Sequence, residues 1–155
     1  MFDVELIDRM LKKKIYYGEV VDIREDYRVD KKQAYDGVAT VYYDILFNNS
    51  KVGTIDLRLT VEGMNYYYGH IGYDVLEKYR GHHYALEACK EVFKIAKEEF
   101  NLEEIIITCS PDNIASYKTL TELNGELVEL VDVPIGHPLY ARNERQKYIF
   151  KYKLW

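Results

Sequence analysis

A change of hydrophobic period halfway along the chain constrains the fold more than any other feature. From Val38 to Val75 the chain is rich in β-branched and aromatic residues that fall in short runs separated by turn residues, the pattern of strands. From Tyr84 to Phe100 they fall instead at Ala85, Leu86, Cys89, Val92, Phe93, Ala96 and Phe100, with Lys90, Glu91, Lys94, Lys97 and Glu98 between them. That spacing predicts a long amphipathic helix with one face on a sheet. The switch happens across Arg80-Gly81-His82-His83, so a strand must feed a helix through a short loop containing glycine.

The flanking segments extend the pattern. Phe2 to Ile15 places Val4, Ile7, Met10 and Leu11 at helical spacing, predicting an opening helix. Strands are expected over Tyr16–Val29, Val38–Phe47, Val52–Thr60 and Tyr66–Val75, with Asn48-Asn49-Ser50-Lys51 as a hairpin turn. Ile105-Ile106-Ile107 reads as a strand covered on both faces. Ser110-Pro111-Asp112-Asn113 offers caps for a helix ending at Leu123, before Asn124-Gly125. Strands over Leu127–Val133 and Lys147–Leu154 close the chain, joined by a loop from Pro134 to Arg145. The expected class is α+β or three-layer α/β: a mixed, mostly antiparallel sheet of about six to seven strands flanked by helices.

Composition narrows the function classes. The 155 residues are 48% apolar and 30% charged, with no repeat, low-complexity tract or linker. One domain over residues 1–155 is therefore expected. A net charge of −5 argues against nucleic acid as the partner, and Lys12-Lys13-Lys14 reads as the basic end of the opening helix. Cys89 and Cys109 lie far apart in no CxxC pattern, so neither a zinc site nor a disulfide framework follows. No signal peptide is visible and no apolar run approaches ~20 residues, so a cytoplasmic chain without a membrane span is expected. The 16 tyrosines suit a half-buried sheet surface or a pocket wall.

Chemistry concentrates at Tyr73-Asp74-Val75-Leu76-Glu77-Lys78-Tyr79-Arg80-Gly81-His82-His83-Tyr84-Ala85. Free amides at a helix start, with the positive end of the dipole, make an anion site. An ordinary strand-to-helix turn with Arg80 exposed is the alternative. Arg80 to Ala85 resembles the pyrophosphate loop Q/R-x-x-G-x-G/A of the GNAT superfamily of acyl-CoA-dependent N-acetyltransferases. Arg80 and Ala85 fill its first and sixth positions, with Gly81, His82 and Tyr84 between them. His83 stands where that family usually has glycine, and histidine tolerates the backbone angles there better than most residues. Tyr73-Asp74-Val75 is similar to the end of the family's fourth strand, whose backbone pairs with pantetheine. Asp112-Asn113-Ile114-Ala115-Ser116 resembles its N-x-x-S/A helix start. The resemblance therefore implies acetyl-CoA as co-substrate, held also by Asn113, Ser116 and Lys118, and leaves room for a homodimer.

It further implies direct attack of a neutral amine on the thioester, with a base or water chain removing a proton. The acceptor is an amine of unknown identity. Leu120 stands where many members carry a tyrosine acid, and Tyr117 projects about 60° from that position. The catalytic candidates are His70 as base and Tyr73. Tyr67, Tyr73 and Tyr152 are candidates for the acceptor pocket. Each reads equally as an ordinary sheet residue. His82-His83 has no carboxylate or cysteine at ligand spacing, so no metal is expected. Ser110 and Cys109 lack the paired base a nucleophile needs. Two other readings remain: a non-catalytic acyl-CoA sensor on a degenerate fold of this family, and a mononucleotide-binding domain, against which the Asn48-Asn49 hairpin speaks.

Overall fold

The computed structural model describes residues 12–155, and within them eight strands and three α-helices. Five strands form the first sheet: β1 (Ile15–Tyr16), β2 (Asp22–Val29), β3 (Thr40–Phe47), β4 (Ser50–Arg58) and β5 (Ile71–Val75), each antiparallel to the next. Asn48 and Asn49 sit at φ 48° and 63°, which closes β3 onto β4 in a two-residue hairpin and pairs Phe47 with Ser50. The long helix α1 (Tyr84–Phe100) lays Cys89, Val92 and Ala96 into one core with Ile23, Tyr43, Ile45, Ile55 and Leu57. β6 (Glu104–Cys109), α2 (Ile114–Glu122), β7 (Glu126–Asp132), α3 (Pro138–Ala141) and β8 (Gln146–Lys153) follow, and the second sheet has the order β6-β8-β7.

The two sheets meet at a narrow seam. Gly69 bridges Ile107, the His70 amide donates to the Ile106 carbonyl at 2.7 Å, and the Ile106 amide donates to His70 Nδ1 at 2.9 Å. Thr108 Oγ1 adds a bond to the Tyr67 carbonyl at 2.8 Å. An imidazole thus takes the place of a ladder carbonyl.

Several expectations change. The opening helix lies outside the described residues as far as residue 11, and at its end Ile15–Tyr16 is strand, paired with Arg24 and Ile23. Tyr16–Val29 breaks into β1 and β2 around Gly18, where a Cβ would lie 2.1 Å from the Val21 carbonyl oxygen. Tyr66–His70 is not strand: Gly63–Tyr67 is a 3-10 turn, and Gly69, at φ 72°, re-aims the chain into β5. The single sheet becomes two. Glu91, assigned to the polar face of α1, is buried against that Gly18 bend, where the Glu19 amide reaches its Oε1 at 3.4 Å. The 134–145 loop contains α3, started by Pro138 and capped by His137, whose Nδ1 accepts from the Leu139 amide. No described helix is long and apolar enough to cross a membrane.

Candidate active site

The loop between β5 and α1 is set by backbone conformation. Glu77–Tyr79 makes a 3-10 turn and Arg80 is extended. Gly81 then takes φ 89° and His83 takes φ 62°, ψ 24°. Both residues occupy the left-handed region, so the family's glycine at the fourth position has a steric reason and His83 adopts the same angles at some cost. A Cβ on Gly81 would touch nothing within 4 Å; its φ, not crowding, calls for glycine. The first turn bond of α1 runs from the Glu87 amide to the His83 carbonyl at 3.0 Å. The amides of Tyr84, Ala85 and Leu86 therefore precede the helical ladder, and no side chain caps them.

Of these residues Tyr84 and Ala85 border a cleft of about 480 Å³. Its walls come from Tyr73, Asp74 and Val75 of β5, from Tyr79 to Ala85 except His82, and from Asn113 to Glu122 along one face of α2, including Ser116 and Lys118. Arg80 folds back on the strand end, with Nε donating to the Val75 carbonyl at 2.9 Å and Nη2 3.5 Å from Asp74 Oδ1. Asn113 caps α2 by accepting from the Ser116 amide at 3.1 Å. Free helix-start amides and the cations Arg80 and Lys118 fit a diphosphate-bearing co-substrate.

A second cavity, of about 220 Å³, lies where the sheets diverge beyond the seam. Arg58, Tyr67, Tyr68, Thr108, Ser110, Glu144 and Lys147 contribute to its walls. Tyr73, Asn113 and Ser116 line both spaces. At this junction the Tyr73 hydroxyl donates to Ser116 Oγ at 3.1 Å. Burial pushes the Tyr73 hydroxyl up to about 12, so it is a proton donor throughout the physiological range.

The sequence matches the family model for the acetyltransferase (GNAT) domain over residues 14–125. The chain belongs to the GNAT acetyltransferase family. It is an acyl-CoA-dependent acetyltransferase of that family by the same match. Its fold is that of a GNAT-family acetyltransferase from Bacillus anthracis, at 18% identity and a TM-score of 0.66 over 90% of this chain and 98% of that one. A ribosomal-protein-S5-alanine acetyltransferase from Vibrio fischeri superposes at 14% identity and 0.64, over 91% and 97%. The microcin C7 self-immunity acetyltransferase MccE, in complex with acetyl-CoA and AMP, does so at 14% and 0.55, over 74% and 61%. No curated protein sequence matches.

The GNAT structure gathers Tyr73, Asp74, Val75, Arg80, Gly81, His83, Tyr84, Ala85, Asn113, Ser116 and Lys118 around the larger cleft. His82 stands outside its lining and stacks on Tyr84, ring centroids 5.4 Å apart. His70 lines neither cavity: its Nδ1 holds the seam, and burial lowers its pKa to about 4. Tyr67 reaches the smaller cavity. Tyr152 does not, because its hydroxyl donates to the Leu120 carbonyl at 2.6 Å inside the core. Leu120 is fully buried, and Tyr117 packs against Tyr148 and Phe150. Glu144, Lys147 and Arg58 had no motif to mark them. The one signal was a polar loop with two prolines directly before an apolar final strand.

Proposed function

We propose that the chain transfers the acetyl group of acetyl-CoA to a primary amine, with residues 1–155 forming one transferase domain. One observation carries this reading: two cavities of different character meet at the Tyr73–Ser116 hydroxyl pair. The larger suits acetyl-CoA, which supplies an activated thioester carbonyl when bound. The Gly81–Ala85 backbone holds the diphosphate and the end of β5 lies beside the pantetheine arm. The acceptor enters from the smaller cavity. The Tyr73 hydroxyl, whose proton rests on Ser116 Oγ in the free protein, turns to give that proton to the departing sulfur and regains one from water in the smaller cavity, the task the tyrosine at the Leu120 position performs elsewhere in the family. His70 is engaged at the seam, so the amine proton leaves to water in the smaller cavity and not to an imidazole. The acetyl-CoA complex of MccE supports the co-substrate, and the ribosomal-protein alanine named as the target of the Vibrio fischeri enzyme supports an amine acceptor.

The test is release of coenzyme A thiol from acetyl-CoA on adding amines one at a time. The expected result is amine-dependent release. Binding of acetyl-CoA with no release on any amine would leave an acyl-CoA sensor and defeat the transfer reading.

A further inference from the structure

The smaller cavity specifies how the acceptor is held, an inference that rests on the transfer reading above. We infer that Glu144, flanked by Ser110 and Lys147, is the docking carboxylate for the acceptor's ammonium group, which makes the acceptor a cationic amine captured in its charged form.

The loop that presents Glu144 is fixed in advance. Asn143, at φ 67°, reverses the chain after α3, and the Glu144 amide is tied to the Leu139 carbonyl at 3.0 Å. Buried His137 anchors that segment to the far wall: its Nε2 lies 2.8 Å from the Met64 carbonyl, and its ring packs on Tyr67 and Tyr68. A carboxylate held this way loses little freedom when a ligand arrives.

On Glu144 and Ser110 the polar capacity left over is that of an acceptor. Ser110 Oγ donates to Glu144 Oε1 at 2.7 Å and Lys147 Nζ donates to the same oxygen at 2.8 Å. Among the described residues Glu144 Oε2 has no partner, and the Ser110 oxygen keeps its lone pairs. Arg58, also in the cavity wall, has its charge engaged: it forms ion pairs with Asp36 at 3.7 Å and with Asp56 at 3.3 Å, the latter without hydrogen-bond alignment, and it lies over the Tyr68 ring. Open acceptors beside a carboxylate suit a ligand with several N–H donors and positive charge, which is a primary ammonium. Burial by itself would raise the Glu144 carboxyl, but the hydrogen bonds from Lys147 and Ser110 outweigh it and hold the group below its ordinary value. Such a carboxylate is a good counter-ion and a poor proton acceptor at neutral pH. Docking is its role, and the ammonium gives its proton to water after it leaves Oε2 for the junction.

The experiment measures thiol release by wild type, Glu144→Gln and Ser110→Ala with spermidine, glycinamide and a short peptide bearing a free N-terminus. Glu144→Gln is expected to raise the acceptor KM by about tenfold or more, the worth of one charge-assisted hydrogen bond. Its kcat and its KM for acetyl-CoA should stay near wild type. Ser110→Ala shifts the same constant in the same direction by less, and it serves alone if Glu144→Gln does not fold. A loss of kcat at unchanged KM makes Glu144 a base and overturns the docking role. An unchanged KM with a lower melting temperature makes it a structural ion pair and does the same. Independently of turnover, propylammonium chloride should raise the melting temperature of wild type and not of Glu144→Gln, with potassium propionate as control. Equal responses in the two proteins overturn the assignment. If that difference holds while no amine releases thiol, the transfer reading falls and the ammonium site stands.

Discussion

His83 adopts at φ 62° a conformation that glycine takes freely, and its side chain makes no capping bond to the helix it precedes. The left-handed region costs a non-glycine residue roughly 1–2 kcal/mol, and glycine loses about 0.5–1 kcal/mol more chain entropy on folding. His83→Gly should therefore stabilise the protein by up to about 1 kcal/mol in chemical denaturation, and a clear loss of stability would mean that the imidazole has a contact of its own. Tyr73→Phe removes the hydroxyl at the junction of the cavities. It should lower kcat by about 10²-fold, the low end of general-acid contributions, while the acetyl-CoA-induced shift in melting temperature stays as in wild type. A variant with unaltered kcat would move the acid elsewhere. The loop residues were legible in the sequence because their spacing is local: Arg80 to Ala85 spans a single turn and its helix start. Glu144 was not, because it meets Ser110 only after α2, β7, α3 and their connections fold between them.

Among the elements, the hairpin of β3 and β4 and the helix α1 could be read from asparagine turns and from helical period. The 66–70 segment could not. Tyr66, Tyr67 and Tyr68 look like strand residues, yet Gly63 and Gly69, at φ 58° and 72°, bracket them and force a turn. That turn creates the seam, and the seam depends on a neutral His70. Its folded pKa of about 4 lies below the unfolded value of about 6.5. The folded state thus binds fewer protons than the unfolded chain across this window. Stability is fully present above about pH 6.5 and declines as the pH falls toward 4, by about 3 kcal/mol in all for this one group. His70→Gln keeps an acceptor for the Ile106 amide and cannot titrate. The difference in unfolding free energy between wild type and His70→Gln should fall steadily across that interval. A difference independent of pH would show that His70 titrates normally and that the seam tolerates its charge.

At the scale of the whole molecule, the cleft joins parts that the seam holds only at one end. Its β5 and α1 walls belong to the five-stranded sheet and its α2 wall hangs from β6 of the three-stranded sheet. A co-substrate lying along it ties the two sheets together at the end where they splay, so its binding free energy is spent on the native arrangement and on no unfolded form. At about 100 times its Kd such a ligand adds about 2.7 kcal/mol, which for a domain of this size raises the melting temperature by about 5–10 °C. Gly81→Val would place a β-branched residue at φ 89°, where it must either strain or rebuild the loop. The variant should lose most of the acetyl-CoA shift while keeping the propylammonium shift, because the smaller cavity shares no wall with Gly81. Thermal melts with each ligand separate the two effects. A Gly81→Val protein that still responds fully to acetyl-CoA would show that the diphosphate is held away from the helix start, and the role given to the loop amides would be wrong.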